Sequence, residues 1–153
     1  MADKTVDRWT KEGKAFKKAL ELLNDLEVRV GYQEGLLYPD GTPVVHVAIW
    51  NELGTVRSPA RPFIRNTVDN NEAKIQAKMK SCANELAEGA TTGKVLNELG
   101  VFGKDLLQKE IKNGEYVPNA PSTIAQKGSE KPLIDTGLLR QSANYVIKKK
   151  GGQ

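Results

Sequence analysis

The spacing of apolar residues predicts three long amphipathic helices. In residues 5–26, 69–88 and 92–112 the apolar side chains recur at intervals of about three, four or seven residues. Such intervals place side chains on one face of a helix. Gly100 and Gly103 lie within the third segment and indicate a kink or a close helix crossing there. The predicted apolar stripes are Trp9, Phe16, Leu20 and Leu23; Ile75, Met79, Cys82 and Leu86; and Val95, Leu99, Phe102, Leu106 and Ile111.

Two short segments have the alternating pattern of a half-buried strand. They are EVRVGY at residues 27–32 and a second run at residues 143–148. Residues on one face of a strand are two positions apart, so each segment would turn one apolar face toward a core. The side chains predicted on these faces are Val28, Val30 and Tyr32 in the first strand, and Tyr145 and Ile147 in the second.

Residues 44–53, VVHVAIWNEL, fit two structures. The β-branched run favours a buried strand. A short helix would turn Val44, Val47 and Ala48 inward and end at Gly54 as its C-terminal cap. Periodicity does not decide between a strand and a helix in so short an apolar run.

Proline and glycine mark the connections between these elements. Residues 33–43 predict a loop or a long hairpin tip. Residues 115–134 predict a loop with one helical turn that begins at Ser122. Residues 135–137, Asp-Thr-Gly, predict a turn. We predict one domain over residues 1–153, in which residues 148–153 form a flexible basic tail.

The segment SPARPFIRNT, residues 58–67, has two prolines three positions apart. Proline lacks the N–H group that a central helix or a central strand needs. The segment therefore predicts a rigid extended stretch that presents Phe63 between Arg61 and Arg65.

Composition favours a single globular domain. The chain has 153 residues, of which 39% are apolar and 27% charged, and its mean hydropathy is −0.50. No run approaches the eighteen or so apolar residues of a membrane span, and no secretory signal pattern opens the chain. Cys82 and His46 are the only residues of their types, so an intrachain disulfide and a Cys/His zinc site are excluded. The pattern is typical of a chain that folds in a reducing cytoplasm.

The basic charge is confined to one end of the chain. Residues 122–153 carry six basic and two acidic side chains, whereas residues 1–121 carry seventeen of each. The whole net charge of +4 therefore lies near the C-terminus. A nucleic-acid-binding module that uses this end with Arg61 and Arg65 is an alternative hypothesis. It is the less favoured one, because nucleic-acid-binding proteins usually carry a broader basic field.

Catalytic motifs are missing from the sequence. It has no GxSxG, P-loop, GxGxxG or HExxH pattern. His46 lies in an apolar run, where a packed side chain is the simpler interpretation. We therefore predict no enzymatic activity, no cofactor and no metal. A small enzyme built on His46, Glu52 and Asp135 is the competing hypothesis.

Three stretches combine turn-forming residues with large apolar or charged side chains: residues 50–55, 59–65 and 131–142. Protein interfaces favour aromatic and arginine side chains held on rigid backbone. Packing in the core is an equally weighted alternative for Trp50 and a less favoured alternative for Phe63. The predicted interface residues are Trp50, Glu52, Arg61, Phe63, Arg65, Leu139 and Arg140. The predicted structural turns use Gly54, Pro62, Asp135, Thr136 and Gly137.

Two of these runs resemble a known family. VAIWNELGTVRSPARPFIR is similar to the signature A-x-W-N-E-F-G-T … P-A-R-P-F-x-R of tailed-bacteriophage neck and tail-completion proteins. APSTIAQKGSEKPLIDTGLLRQSANYVI is similar to their signature S-x-x-T-I-x-x-K-G … P-L-x-D-T-G-x-L-x-x-S-I. Together the two runs span about residues 44–147, which is most of the chain.

The resemblance implies an α+β fold, with a small, mostly antiparallel sheet packed with an N-terminal helix and two longer central helices. It implies that residues 44–53 are helical and end at Gly54. It also implies a non-catalytic virion protein that forms a homo-oligomeric ring at the head–tail neck, with a hexamer favoured over a dodecamer. The expected partners are the portal-side connector proteins, the tail tube or tail terminator, and non-specifically the packaged DNA. No membrane is expected, and assembly would take place in the host bacterial cytoplasm.

Overall fold

The computed structural model describes residues 9–128, 130–134 and 136–152. These residues form seven helices and a two-stranded antiparallel sheet, a mostly helical α+β fold. The predicted fold class is therefore confirmed. The elements are α1 (Lys11–Asp25), β1 (Leu26–Gly31), α2 (Val44–Leu53), α3 (Phe63–Asp69), α4 (Glu72–Ala87), α5 (Thr92–Asn113), α6 (Pro121–Lys127), α7 (Leu138–Ser142) and β2 (Asn144–Lys149).

The sheet pairs a strand from near the start of the chain with one from near its end. Val28 lies opposite Ile147 and Val30 opposite Tyr145, and directly paired residues share a face of the sheet. Both predicted strands are therefore present and carry these four side chains on one face, whereas Tyr32, predicted for the same face, lies one residue beyond β1. The four side chains lie on the side of the sheet that packs on α5. The other side of the sheet carries the Arg29–Glu27 ion pair.

The C-terminal residues are more ordered than the sequence suggested. Lys148 and Lys149 belong to β2, and the N–H of Lys150 donates to the Asp25 carbonyl at 2.8 Å. The expectation of a flexible tail over residues 148–153 is therefore wrong for its first three residues, because β1 and the Asp25 carbonyl at the end of α1 offer them backbone partners. Gln153 lies outside the described residues.

Helix α5 is the central element, and the sheet crosses it closely at two glycines. A Cβ atom at Gly103 would lie 2.8 Å from Cγ2 of Val30. A Cβ atom at Gly100 would overlap the ring of Tyr145, whose hydroxyl donates to Asn97 Oδ1 at 3.0 Å. The glycines therefore mark a close crossing, as predicted, although the crossing partner is the sheet and not another helix.

Replacing Gly100 by alanine should destabilise the fold. Displacement of the Tyr145 ring should cost about 1–3 kcal/mol, which outweighs the helix-propensity gain of about 0.8–1.0 kcal/mol. Gly93→Ala is the matched control, since it lies in the same helix with no atom within 4 Å of the added Cβ. Urea unfolding followed by circular dichroism should show Gly100→Ala less stable than the wild type and Gly93→Ala equal or more stable. Equal stabilisation of both variants would contradict the close crossing.

Two apolar clusters hold the helices together. One lies between α1, α4 and α5 around Cys82, Leu86 and Val95, and Phe16 and Leu23 pack against it. The other joins α2, α3, the C-terminal half of α5 and the 133–143 segment. Its buried members are Val44, Ala48, Phe63, Leu107, Ile111, Leu133, Leu139 and Ala143.

The structure gives the secondary structure of three segments for which the sequence left alternatives or predicted a different one. Residues 44–53 are helical, as the resemblance implied. Residues 33–43 form a loop closed by a bridge between Leu37 and Pro43. The expected extended stretch 58–67 is wrong from Phe63 onward, because α3 begins there.

Candidate partner-binding surface

Glu52 joins α2 to the start of α3. Its carboxylate accepts from the backbone N–H of Ile64 at 2.8 Å and from that of Arg65 at 3.1 Å. The first N–H groups of a helix lack partners within the helix, and the positive end of the helix dipole favours an anion there. Glu52, predicted as an interface residue, thus has both oxygens engaged within its own chain.

Pro62 forms the turn that lets α3 start immediately after it. Its φ of −77° and ψ of 65° are those of an inverse γ-turn, which the N–H of Phe63 closes by donating to the Arg61 carbonyl at 2.8 Å. The N–H of Asn66 then makes the first helical bond, to the Pro62 carbonyl. Together with Glu52, this turn satisfies the leading N–H groups of the helix.

Arg61 is buried, with 7% of its surface exposed. Its guanidinium donates to the Val117 carbonyl at 2.9 Å, to Asn119 Oδ1 at 3.2 Å and to the Pro118 carbonyl at 3.4 Å. Burial lowers the pKa of this guanidinium. Arg61 therefore fixes the 117–119 loop onto the domain, and the expectation that it contacts a partner or DNA is wrong for the folded chain.

Phe63 and Leu139 also lie in the core. Phe63 is 0% exposed and meets the Tyr32 ring edge-on, with 6.2 Å between ring centroids. Burial raises the pKa of the Tyr32 phenol. Leu139 belongs to the same buried cluster. Neither side chain can reach a partner in the folded chain, so the expectation that they are interface residues is corrected.

The other predicted interface residues reach the surface. Trp50 is 47% exposed, and its ring lies 5.9 Å from that of His46, centroid to centroid. Arg65 is exposed and Arg140 is half-buried. His46 is itself exposed, so the packing predicted for its side chain takes place at the surface, against the Trp50 ring.

The predicted turn residues have different roles. Gly54 ends α2 at φ 77°, and Gly137 precedes α7 at φ 79°. Thr136 accepts from the N–H of Leu138 through its hydroxyl at 3.3 Å. Asp135 lies outside the described residues. Within the proposed catalytic set of His46, Glu52 and Asp135, the Glu52 carboxylate is already bound to the N–H groups of Ile64 and Arg65.

The two sequence runs meet around one cavity of about 250 Å³. Trp50 and Asn51 contribute from the first run, and Leu133, Thr136 and Leu138 from the second. The 33–43 loop adds Tyr38, Asp40 and Thr42. The N–H of Thr42 donates to Asp40 Oδ1 at 2.9 Å, which lowers the pKa of that carboxyl. The cavity wall thus brings the 33–43 loop and the adjoining first run together with the second run, which lies far away in the sequence.

Sequence reasoning missed an apolar surface next to this cavity. Helix α2 is apolar on nearly all sides, a pattern of helices enclosed by other protein, yet only its inner face is covered. The sequence signal was the small number of polar residues in VVHVAIWNEL. The exposed apolar side chains of α2 and its flanking loops are Leu36, Leu37, Ile49, Trp50, Leu53 and Val56.

The described part of the chain has neither a cluster of metal-ligating side chains nor a membrane-spanning helix. None of its His, Cys, Asp and Glu side chains form a group of three that could hold a metal ion. No helix in it is long and apolar enough to cross a membrane. Cys82 is buried, and burial raises the pKa of its thiol, which makes a reactive thiolate unfavourable.

The chain was compared with protein-family models, with curated proteins and with solved structures, and none of the three comparisons gave a match.

Proposed function

We propose that this protein is a structural subunit of a tailed-bacteriophage virion that joins the connector to the tail at the head–tail neck. The resemblance of residues 44–147 to neck and tail-completion signatures is the observation that carries the proposal. The geometry supports it, since the two signature runs pack together into one unit. Arg61 and Phe63 of the first run and Leu133 and Leu139 of the second are buried.

The exposed apolar surface of α2 supports a role in assembly. Monomeric proteins rarely expose contiguous apolar patches larger than about a few hundred Å², and patches above that size mark interaction sites. Ile49, Trp50 and Leu53 lie on the outer side of α2, and Val56 follows in the next turn. A subunit whose function is to bind copies of itself and other virion proteins needs such a surface.

The proposed assembly is a homo-oligomeric ring, with a hexamer favoured over a dodecamer. A ring uses two different faces of each subunit, which meet head-to-tail and close under rotation. Its axial neighbours would be the portal-side connector and the tail tube or terminator. The proposal places the protein in the virion neck after assembly in the host cytoplasm, and it assigns no catalysis and no cofactor.

The nucleic-acid alternative has weaker support. Of the two arginines that it uses, Arg61 is enclosed by acceptors of its own chain, while Arg65 is exposed. Lys148, Lys149 and Lys150 are exposed at the end of the sheet and remain available to phosphates. In the neck proposal these lysines face packaged DNA in the channel or an acidic neighbour.

Native mass spectrometry across protein concentration, with and without a short DNA duplex, tests the proposal. Rings of one stoichiometry are the expected result, and their mass gives the subunit number. A strict monomer that binds DNA, with an affinity that falls steeply with salt, would favour the nucleic-acid module. If the chain is a monomer that does not bind DNA, mass spectrometry of purified virions is the deciding test of the proposal. Absence of the chain from the particles would overturn it.

A further inference from the structure

A rigid apolar projection follows α2. We call residues 53–58 the tip. Val56 is fully exposed and Leu53 is 67% exposed. The N–H of Thr55 donates to the Ser58 carbonyl at 2.8 Å, and that of Ser58 donates back to the Thr55 carbonyl at 3.3 Å. The Thr55 hydroxyl also accepts from the N–H groups of Arg57 and Ser58.

Both ends of the tip are fixed to the domain. At its start, the N–H of Gly54 donates to the Trp50 carbonyl at 2.9 Å. After its end, the N–H of Arg61 donates to the Asn51 carbonyl at 2.6 Å. The buried Arg61 guanidinium also donates to the Val117 carbonyl, which ties the residues after the tip to the 117–119 loop. A projection that is already ordered loses little conformational entropy when it binds. The tip therefore presents Leu53 and Val56 from a backbone that is already ordered.

A concave apolar surface lies elsewhere on the same chain. We call it the groove. It is a cavity of about 210 Å³, open to solvent, between β1, α3, α4 and α5. Several of its lining side chains stay partly exposed at the rim, so the described residues do not fill the cavity. Its lining residues include Val30, Ile64, Val68, Ile75, Met79 and Phe102.

Arg57 in the tip and an acidic pair at the α3–α4 end of the groove carry opposite charges, while the exposed cations Arg65 and Lys74 adjoin Ile64 and Ile75 elsewhere along the groove. Arg57 follows Val56 directly in the tip. Asp69 follows Val68, and Glu72 precedes Ile75 by one helical turn. Arg57, Asp69 and Glu72 are exposed, and none of them forms an ion pair with another described residue. Opposite charges around an apolar contact fix its register and speed association.

We propose that the tip of one copy inserts Leu53 and Val56 into the groove of a second copy, with Arg57 near Asp69 and Glu72. This inference deepens the ring proposed above and rests on it. Val56 is fully exposed, so the tip does not occupy its own groove. The contact uses different surfaces of the two copies, and such a contact repeats around a ring until rotation closes it.

Two aspartate variants test the inference when they are studied alone and mixed. Val56→Asp places a carboxylate on the tip, and Val68→Asp places one in the groove. Each should weaken self-association at least about 30-fold, the loss expected for an interface hot spot. Each variant keeps one intact surface, so an equimolar mixture should form a heterodimer and no larger species in native mass spectrometry.

Val101→Asp is the matched control. Val101 lies on α5 and is 52% exposed, against 53% for Val68, and it does not line the groove. Its variant should assemble as the wild type does. Circular dichroism melting of all three variants checks that each is folded.

The outcomes separate the inference from the proposed function. Rings that persist in both the Val56→Asp and Val68→Asp variants overturn the tip-and-groove contact and leave the neck proposal standing. A mixture that stays monomeric also overturns the contact. A wild-type chain that is monomeric at every concentration overturns it as well, and the presence of the chain in virions then decides the proposed function. Tip-and-groove heterodimers from a chain absent from virions support the contact and overturn the neck proposal.

Discussion

Phe63→Ala should lower the free energy of unfolding by about 3–5 kcal/mol, the usual cost of removing a buried phenylalanine ring. The ring is 0% exposed and packs within the cluster that joins α2, α3, α5 and α7. Its deletion removes the edge-on contact with Tyr32 and leaves a cavity that rigid neighbours cannot fill. Urea unfolding at a concentration where the chain is monomeric measures the loss directly.

Leu53→Ala is the control for Phe63→Ala. It also removes a large apolar side chain, but at a position that is 67% exposed. Its effect on monomer stability should stay within about 0.5 kcal/mol. If Phe63→Ala instead leaves the monomer unchanged and only reduces assembly, Phe63 is an interface residue after all and its buried position is wrong.

The burial of Phe63 shows where sequence reasoning stops. Two nearby prolines and two flanking arginines indicate an extended exposed stretch, because proline breaks regular structure and arginine prefers water. The outcome depends instead on Glu52, which satisfies the first N–H groups of α3 from another helix. Arg61 likewise finds its acceptors in the 117–119 loop, more than fifty residues away along the chain. No local pattern encodes such partners.

The long elements could be predicted because their signal repeats. Helices α4 and α5 present several turns of apolar spacing, and the alternation of β1 and β2 matches their pairing. The α2 segment is different, because it is apolar on nearly every side and its spacing fits both a strand and a helix. Only the family resemblance favoured the helix that the structure contains.

The candidate surface was predicted less well than the fold. Sequence reasoning chose residues that are large or charged and lie in turns, and the folded chain buries Arg61, Phe63 and Leu139 among them. Val56 carried no signal in the sequence, since one valine between threonine and arginine is unremarkable there. Its full exposure follows from the hydrogen bonds of the Thr55–Ser58 turn and from how α2 ends.

Gly54→Ala should be strongly destabilising because two effects add at this position. Gly54 adopts φ 77° and ψ 173°, a conformation almost confined to glycine, and forcing alanine into it should cost about 1–3 kcal/mol. The added Cβ would also lie 2.8 Å from the backbone nitrogen of Ala60. Backbone atoms cannot rotate away as a side chain can, so overpacking should add about 1–3 kcal/mol. Urea unfolding of the monomer measures the sum.

Gly128→Ala separates the two effects. Gly128 also ends a helix with positive φ, at 68°, but no atom lies within 4 Å of its added Cβ. Its loss should be about 1–2 kcal/mol, the cost of left-handed backbone in alanine. Equal losses in the two variants would mean that the Ala60 contact relaxes freely. A larger loss at Gly54 means that α2 and the segment after the tip are locked together, and this lock keeps Val56 pointing outward. The same glycine would then control both the stability of the fold and the presentation of the tip.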